Sequence, residues 1–115
     1  MPTEITAALR AEGIEIIESS DLAAAVASSD VLYMNRVQKE RFTQPEDYER
    51  LKSVYQVDAA LIANAKHGMT IMHPLPRAGE LSRDVDEMEG VAYFRQAYNG
   101  VPIRMALLAL VTGNE

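Results

Sequence analysis

The chain has 115 residues, enough for one domain or part of one, and 48% of them are hydrophobic, as in sequences that bury a core. Its net charge of −6 argues against nucleic acid as a partner, because nucleic-acid binding usually rests on a basic surface. It has no cysteine, which fits a reducing compartment. The longest apolar run, Met105 to Val111, is too short to span a membrane, and no cleavable leader is evident. We therefore expect a cytoplasmic protein.

Helical and strand patterns alternate along the chain. Short β-branched or apolar runs predict three strands at residues 14–18, 31–34 and 69–72. Capping residues and apolar spacing predict helices at residues 3–12, 22–28, 45–53 and 59–66, and a last amphipathic helix that contains Ile103, Ala106, Leu107 and Leu110. Asp21 and Asp58 are the predicted N-caps of the second and fourth helices.

This alternation predicts the α/β fold class. We expect a partial doubly wound (Rossmann-like) three-layer αβα domain with a mainly parallel sheet of about three to four strands. The chain opens on a helix, and sheets in this class normally have more strands. We therefore expect that a first strand is missing from an otherwise single domain covering residues 1–115.

Planar hydrogen-bonding side chains follow the strand at residues 31–34. Asn35, Arg36 and Gln38 stand where that strand leaves the core, and an arginine fork matches a carboxylate or a phosphate. In an extended chain Arg36 and Gln38 point to the same side and can clamp one carboxylate. The alternative is a solvated arginine paired with a nearby glutamate, because surface ion pairs are common and weak.

A proline-rich segment, His73-Pro-Leu-Pro-Arg77, follows the strand at residues 69–72. Two prolines stiffen the backbone and remove two N–H donors, so the loop can aim carbonyl oxygens at a ligand. The alternative is a rigid corner in which His73 is a satisfied buried histidine and Arg77 a surface charge. In a parallel sheet both polar segments would lie at one edge, where α/β folds bind ligands. The sequence contains no metal-ligand spacing, phosphate-cradling glycine loop or nucleophile elbow.

The segment from Asp30 to Phe42 closely resembles the aspartate-binding segment of the aspartate carbamoyltransferases. His73-Pro-Leu-Pro-Arg77 is similar to that family's proline-rich loop, and the stretch from Tyr93 to Leu108 to its closing helix. The resemblance covers essentially the whole chain, but only the later part of the family's aspartate/ornithine-binding domain. The carbamoyl phosphate-binding domain, with its Ser-Thr-Arg-Thr motif, is absent.

The resemblance implies roles for particular residues. Arg36 and Gln38 would bind the carboxylates of L-aspartate, with Asn35, Lys39 and His73 as secondary candidates. The loop residues Pro74, Leu75 and Pro76 would place carbonyls against the carbamoyl group and the amine, with Leu75–Pro76 in the cis form. Residues 39–48 would form a mobile loop. No side chain of this chain is expected to be a catalytic group, and neither a metal nor an organic cofactor is implied.

The chain departs from the family pattern at four places. Asn35 stands in place of a threonine, Ala78-Gly79 in place of Val-Asp, and Tyr98 in place of a glutamate, while Pro102 falls within the closing helix, where it is expected to kink or restart that helix. Two other functions stay open. One is a carbamoyltransferase for another amine such as ornithine, although those relatives carry a cysteine where this chain has Pro74. The other is a non-catalytic remnant used for protein contact.

The same resemblance sets expectations for partners. L-Aspartate is the expected ligand, and carbamoyl phosphate would bind only with the missing domain. The parent enzyme is expected to be a homotrimer, with no nucleic-acid or membrane partner. The isolated chain is expected to lack transferase activity and to self-associate or be marginally stable, because a missing strand exposes apolar surface.

Overall fold

The computed structural model describes residues 1–38 and 42–113 of the chain. Two helices precede each strand, and a single turn of 3₁₀ helix at Arg83–Val85 precedes the last helix. In chain order they are α1 (Thr3–Ala11), α2 (Leu22–Ser28), β1 (Val31–Tyr33), α3 (Pro45–Val54), α4 (Ala59–Ile62), β2 (Thr70–Met72) and α5 (Tyr93–Thr112).

Local sequence signals set the starts of the helices as predicted. The Asp21 carboxylate accepts the Ala24 N–H at 2.9 Å at the start of α2, and the Asp58 carboxylate accepts the Leu61 N–H at 2.8 Å at the start of α4. Helix α3 begins at Pro45, where a missing N–H costs nothing. Helix α4 is shorter than predicted: it ends at Ile62 instead of residue 66, in a turn whose Asn64 side chain donates to the Ala60 carbonyl.

The two strands form a parallel sheet in the order β1–β2. Val31, Leu32 and Tyr33 pair in register with Thr70, Ile71 and Met72. The pairing runs one step further, where the Met34 N–H donates to the Met72 carbonyl at 2.9 Å. The α/β class is therefore confirmed, and the small parallel sheet is consistent with part of a Rossmann-like domain.

The predicted strand at residues 14–18 is not formed, and the described residues contain two strands instead of three to four. Ile14 and Ile17 are exposed, Ile17 to 78%. A strand is stable only when another strand satisfies its backbone, and the described part of the chain offers this segment no such neighbour. Strand β1 is also less buried than expected, with Val31 and Tyr33 about half exposed.

The core lies between β2 and the segments that cover it. Isolated parallel bridges join Ile71 of β2 to Val91 and Val57 to Leu81, so the segment at residue 91 pairs with the sheet and the segments at 57 and 81 pair with each other. The buried cluster comprises Val26, Met34, Val57, Ile62, Met69, Ile71, Leu81, Val85 and Tyr93.

Helix α5 leaves this core along its length. Tyr93 is its buried residue, whereas every residue from Val101 to Leu108 is exposed. Pro102 does not restart the helix, because α5 is continuous through it. Although α5 has 20 residues, no helix in the described ranges is both long and apolar enough to cross a membrane.

We predict that this exposed helix makes the isolated chain self-associate. Met105, Leu108 and Val111 are each at least 65% exposed, and their burial between chains would release apolar surface from water. Sedimentation velocity should show a sedimentation coefficient that rises with concentration. Leu108→Lys with Val111→Lys should weaken this dependence, whereas Ala63→Lys, at an exposed turn away from α5, should not. A wild-type chain that stays monomeric at all concentrations contradicts the prediction.

Candidate functional site

The parallel pairing of β1 with β2 brings the two polar segments to the same edge of the sheet. Residues 34–38 leave the end of β1, and residues 73–77 leave the end of the adjacent β2. The Met34–Met72 hydrogen bond keeps the two segments side by side as far as the last residue of β2. The sequence-based expectation that the two segments share one edge is confirmed.

The residues after β1 have no regular secondary structure. Asn35 and Arg36 are exposed, and Gln38 is half-buried. Arg36 and Gln38 thus leave β1 at the edge of the sheet where the proline-rich loop leaves β2, and both are at least partly exposed to solvent. Lys39, the other cationic candidate, and the beginning of the predicted mobile loop lie outside the described residues.

A side chain of α5 ties the two strand ends together. The His73 N–H donates to Gln96 Oε1 at 3.1 Å, and Gln96 Nε2 donates to the Tyr33 hydroxyl at 3.0 Å. One amide thus joins the end of β2, the end of β1 and the first turns of α5. The sequence analysis assigned Gln96 no role, because nothing local indicates that this amide reaches two strands distant in sequence.

The proline-rich loop has an unusual backbone. The Leu75–Pro76 peptide bond is cis, as expected, and Leu75 has a φ of 48°. Pro74 and Pro76 are exposed, and Leu75 is half-buried. Because both prolines lack an N–H, the hydrogen-bonding groups that they can offer to a ligand are carbonyl oxygens.

His73 is buried and has partners on both ring nitrogens. Its side chain is 1% exposed, Nδ1 accepts the Leu75 N–H at 2.9 Å, and Nε2 lies 2.7 Å from Glu80 Oε1. Glu80 is also buried, and both its oxygens accept the Ala78 N–H, at 3.2 and 3.0 Å. The structure thus supports the satisfied-histidine alternative for His73. The sequence analysis missed Glu80. The only sign of its role in the sequence is that an acidic residue stands three positions after the proline-rich loop.

The pKa of Glu80 is held below its usual range. Burial alone would raise it, but hydrogen bonds from the backbone N–H groups of Glu80 and Ala78 and from His73 outweigh that effect. Glu80 is therefore a carboxylate at neutral pH. A buried carboxylate with several donors is a strongly oriented acceptor.

Arg77 is held in a second network below the loop instead of lying free on the surface. Its guanidinium makes a two-pronged contact with the Asp86 carboxylate, at 2.5 and 2.7 Å, and the Tyr93 hydroxyl donates to the same carboxylate. Hydrogen bonds from Arg77 and Tyr93 lower the pKa of Asp86 to about 2. Burial and the hydrogen bond to Asp86 raise the pKa of Tyr93 to about 12. This network anchors the outgoing end of the loop to the start of α5.

These contacts define a class of protein: an α/β domain that presents a rigid proline loop beside an arginine-bearing strand exit, as expected for a small-molecule-binding domain. The family model described as "Aspartate/ornithine carbamoyltransferase, Asp/Orn binding domain" matches residues 2–111. The chain belongs to the aspartate/ornithine carbamoyltransferase family.

Individual relatives agree with the family match. The chain is 48% identical over 113 residues to the aspartate carbamoyltransferase catalytic subunit of Thermococcus gammatolerans, covering 98% of this chain and 37% of the relative. It is similar to the catalytic subunit of M. jannaschii aspartate transcarbamoylase, with a TM-score of 0.85 and 36% identity over 100% of this chain and 38% of that one.

A third relative was solved with ligands. It is aspartate transcarbamoylase from Trypanosoma cruzi in complex with carbamoyl phosphate and aspartate, with a TM-score of 0.76 and 39% identity over 94% of this chain and 36% of that one. The chain therefore spans a little over a third of the length of these relatives.

We predict that the Asp86 network stabilises the fold in a pH-dependent way. A carboxyl whose pKa is lower in the folded state contributes stability above its unfolded pKa of about 4 and loses it as the pH falls toward 2. Asp86→Asn should lower the free energy of unfolding in urea by about 1–2 kcal/mol at pH 7. The difference between Asp86→Asn and wild type should shrink at pH 3.

The matched control is Asp47→Asn, which removes an exposed carboxylate paired with Arg50 on α3. It should change the free energy of unfolding by no more than about 0.5 kcal/mol at either pH. Equal effects of the two substitutions at pH 7, or an Asp86→Asn effect that does not depend on pH, contradict the proposed stabilisation.

Proposed function

We propose that this chain supplies the aspartate-binding side of an aspartate carbamoyltransferase. In that reaction the amine of L-aspartate attacks the carbonyl carbon of carbamoyl phosphate, a C–N bond forms, the amine loses a proton, and the C–O bond to phosphate breaks. The observation that carries the proposal is the meeting of the Arg36 segment and the proline-rich loop at one sheet edge. The family match and the catalytic-subunit relatives support it.

The two segments offer complementary groups to aspartate. Arg36 and Gln38 provide donors for carboxylates, and hydrogen bonds between a guanidinium and a carboxylate are among the stronger ones in proteins. Asn35 adds an exposed amide next to them. The carbonyls of Pro74, Leu75 and Pro76 provide acceptors, which suit the N–H groups of the attacking amine and of the carbamoyl group.

The charge at the strand exit favours aspartate over ornithine. A guanidinium at residue 36 attracts a side-chain carboxylate and repels a side-chain ammonium. Pro74 also stands where ornithine-type relatives are expected to have a cysteine. We therefore propose a dicarboxylic amino acid as the substrate class.

Catalysis requires more than this chain contains. Reactions of this type are accelerated mainly by positioning the two substrates and by stabilising developing charge, which needs the groups that hold carbamoyl phosphate. We propose that those groups belong to the part of the relatives that this chain does not span, that the complete enzyme is a homotrimer, and that it acts in the cytoplasm in pyrimidine biosynthesis.

We predict weak but selective binding of L-aspartate by the isolated chain. Isothermal titration should detect aspartate and succinate but not ornithine. Arg36→Ala should weaken aspartate binding by about tenfold or more, because it removes a charge-assisted hydrogen bond. Arg10→Ala on α1, which also removes one guanidinium, is the control and should leave the affinity unchanged. Tighter binding of ornithine than of aspartate would refute the proposed substrate class.

We predict that the isolated chain has no transferase activity. With saturating aspartate and carbamoyl phosphate, a colorimetric assay for carbamoyl-aspartate should give the uncatalysed rate, because nothing fixes carbamoyl phosphate next to the loop. Activity should appear when the remaining two thirds of a relative's catalytic chain is added as a separate polypeptide. Turnover by the chain alone at rates typical of enzymes contradicts this prediction.

A further inference from the structure

Three backbone donors in or next to the proline-rich loop have acceptors inside the protein. The His73 N–H donates to Gln96, the Leu75 N–H to the His73 ring, and the Ala78 N–H to the Glu80 carboxylate. Prolines occupy two of the intervening positions and have no N–H. The loop therefore satisfies these donors internally, which suits a surface that recognises its ligand through carbonyl oxygens.

The contacts of His73 select one tautomer. A ring nitrogen that accepts a backbone N–H cannot carry a proton itself, so Nδ1 is unprotonated. In the neutral ring the proton is then on Nε2, which is the nitrogen 2.7 Å from the Glu80 carboxylate. A carboxylate has no proton to donate, so Glu80 must accept this hydrogen bond. It therefore favours the tautomer in which Nε2 carries the proton and Nδ1 can accept the Leu75 N–H.

Leu75 depends on this acceptor. Within residues 1–38 and 42–113 it is the one residue other than glycine with a positive φ. The left-handed region is unfavourable for an L-residue, so it persists only where surrounding contacts favour it. One such contact is the hydrogen bond from the Leu75 N–H to His73 Nδ1, at 2.9 Å, and the Leu75 side chain also packs against the buried core. The direction of the Leu75 carbonyl follows from the same backbone conformation.

We propose that His73 and Glu80 are positioning residues for the proline-rich loop. Glu80 holds His73 in the Nε2–H tautomer, and His73 Nδ1 in turn fixes the Leu75 backbone so that the loop carbonyls face an amine substrate. Neither side chain touches that substrate, since both are buried. The identity of the substrate rests on the proposed function, but the tautomer and the Leu75 hydrogen bond do not.

Two substitutions separate the two hydrogen bonds of His73. His73→Asn places an amide near the position of Nδ1, so an acceptor for the Leu75 N–H is retained while the contact with Glu80 is lost. His73→Gln places its amide nitrogen near the position of Nε2, so the donor to Glu80 is retained and the acceptor for Leu75 is lost. Glu80→Gln keeps the shape of the side chain but removes the charge that selects the tautomer.

The first measurement is ¹⁵N NMR of the histidine rings in the wild-type chain without ligand. The neutral His73 ring should show an unprotonated Nδ1 and a protonated Nε2, and the Leu75 amide should exchange slowly with solvent. Glu80→Gln should give a mixture of tautomers. A wild-type ring with its proton on Nδ1, or a rapidly exchanging Leu75 amide, overturns the proposal, and this result needs no variant to fold and no ligand to bind.

The second measurement is aspartate affinity by isothermal titration, with the free energy of unfolding measured in parallel. His73→Gln should lose the slow exchange of the Leu75 amide and weaken aspartate binding by about tenfold, whereas His73→Asn should stay within about threefold of wild type. A purely structural role predicts instead that affinity falls in step with stability in both variants, and that outcome overturns the proposal. If the wild-type chain does not bind aspartate, the proposed function fails, and the ring tautomer and Leu75 exchange alone decide the role of His73 and Glu80.

Discussion

The short parallel pairing between β1 and β2 is the constraint on which the site depends. Three residues of each strand, extended by the Met34–Met72 hydrogen bond, fix where the two segments leave the sheet. Arg36 and the proline-rich loop are about 40 residues apart in sequence, and without this pairing they would not follow neighbouring strands at one edge of the sheet. The Gln96 amide reinforces the pairing by bonding to Tyr33 on one side and to the His73 backbone on the other.

Polar contacts at both ends hold the loop in shape. The buried His73–Glu80 pair stands at the start and return of the loop, and the half-buried Arg77–Asp86 pair anchors its outgoing end to the base of α5. Buried polar groups are costly unless each has a hydrogen-bond partner, and the His73 and Glu80 side chains both have one. Such contacts specify one backbone conformation, which is what a loop that recognises ligands through its carbonyls requires.

The sequence predicted what local chemistry decides. The caps at Asp21 and Asp58, the start of α3 at Pro45, both strands of the sheet and the common edge of the two polar segments were all readable in advance. The segment at residues 14–18 was wrongly predicted as a strand. Its β-branched residues favour an extended backbone, but a strand also needs a second strand to pair with, and the local sequence does not reveal whether one is present.

Side-chain contacts account for what the sequence did not reveal. The Gln96 side chain reaches the His73 backbone on another element, and the Glu80 carboxylate folds back onto His73 and the Ala78 N–H within the same loop. No periodicity encodes such contacts. Pro102 did not interrupt α5, because a proline removes one hydrogen bond while the turns on either side remain helical. The substrate-binding roles of Arg36, Gln38, Pro74, Leu75 and Pro76 stay predictions drawn from position and chemistry.

The central claim is that L-aspartate binds where β1 and β2 end. The most direct test is a ¹H–¹⁵N correlation spectrum of the chain titrated with L-aspartate. The account predicts that the largest shift changes cluster at residues 35–38 and at Leu75 and Arg77, saturate together with one affinity, and are absent with ornithine. Shift changes that cluster on the exposed half of α5 or at residues 14–18, with none at the strand ends, would contradict it.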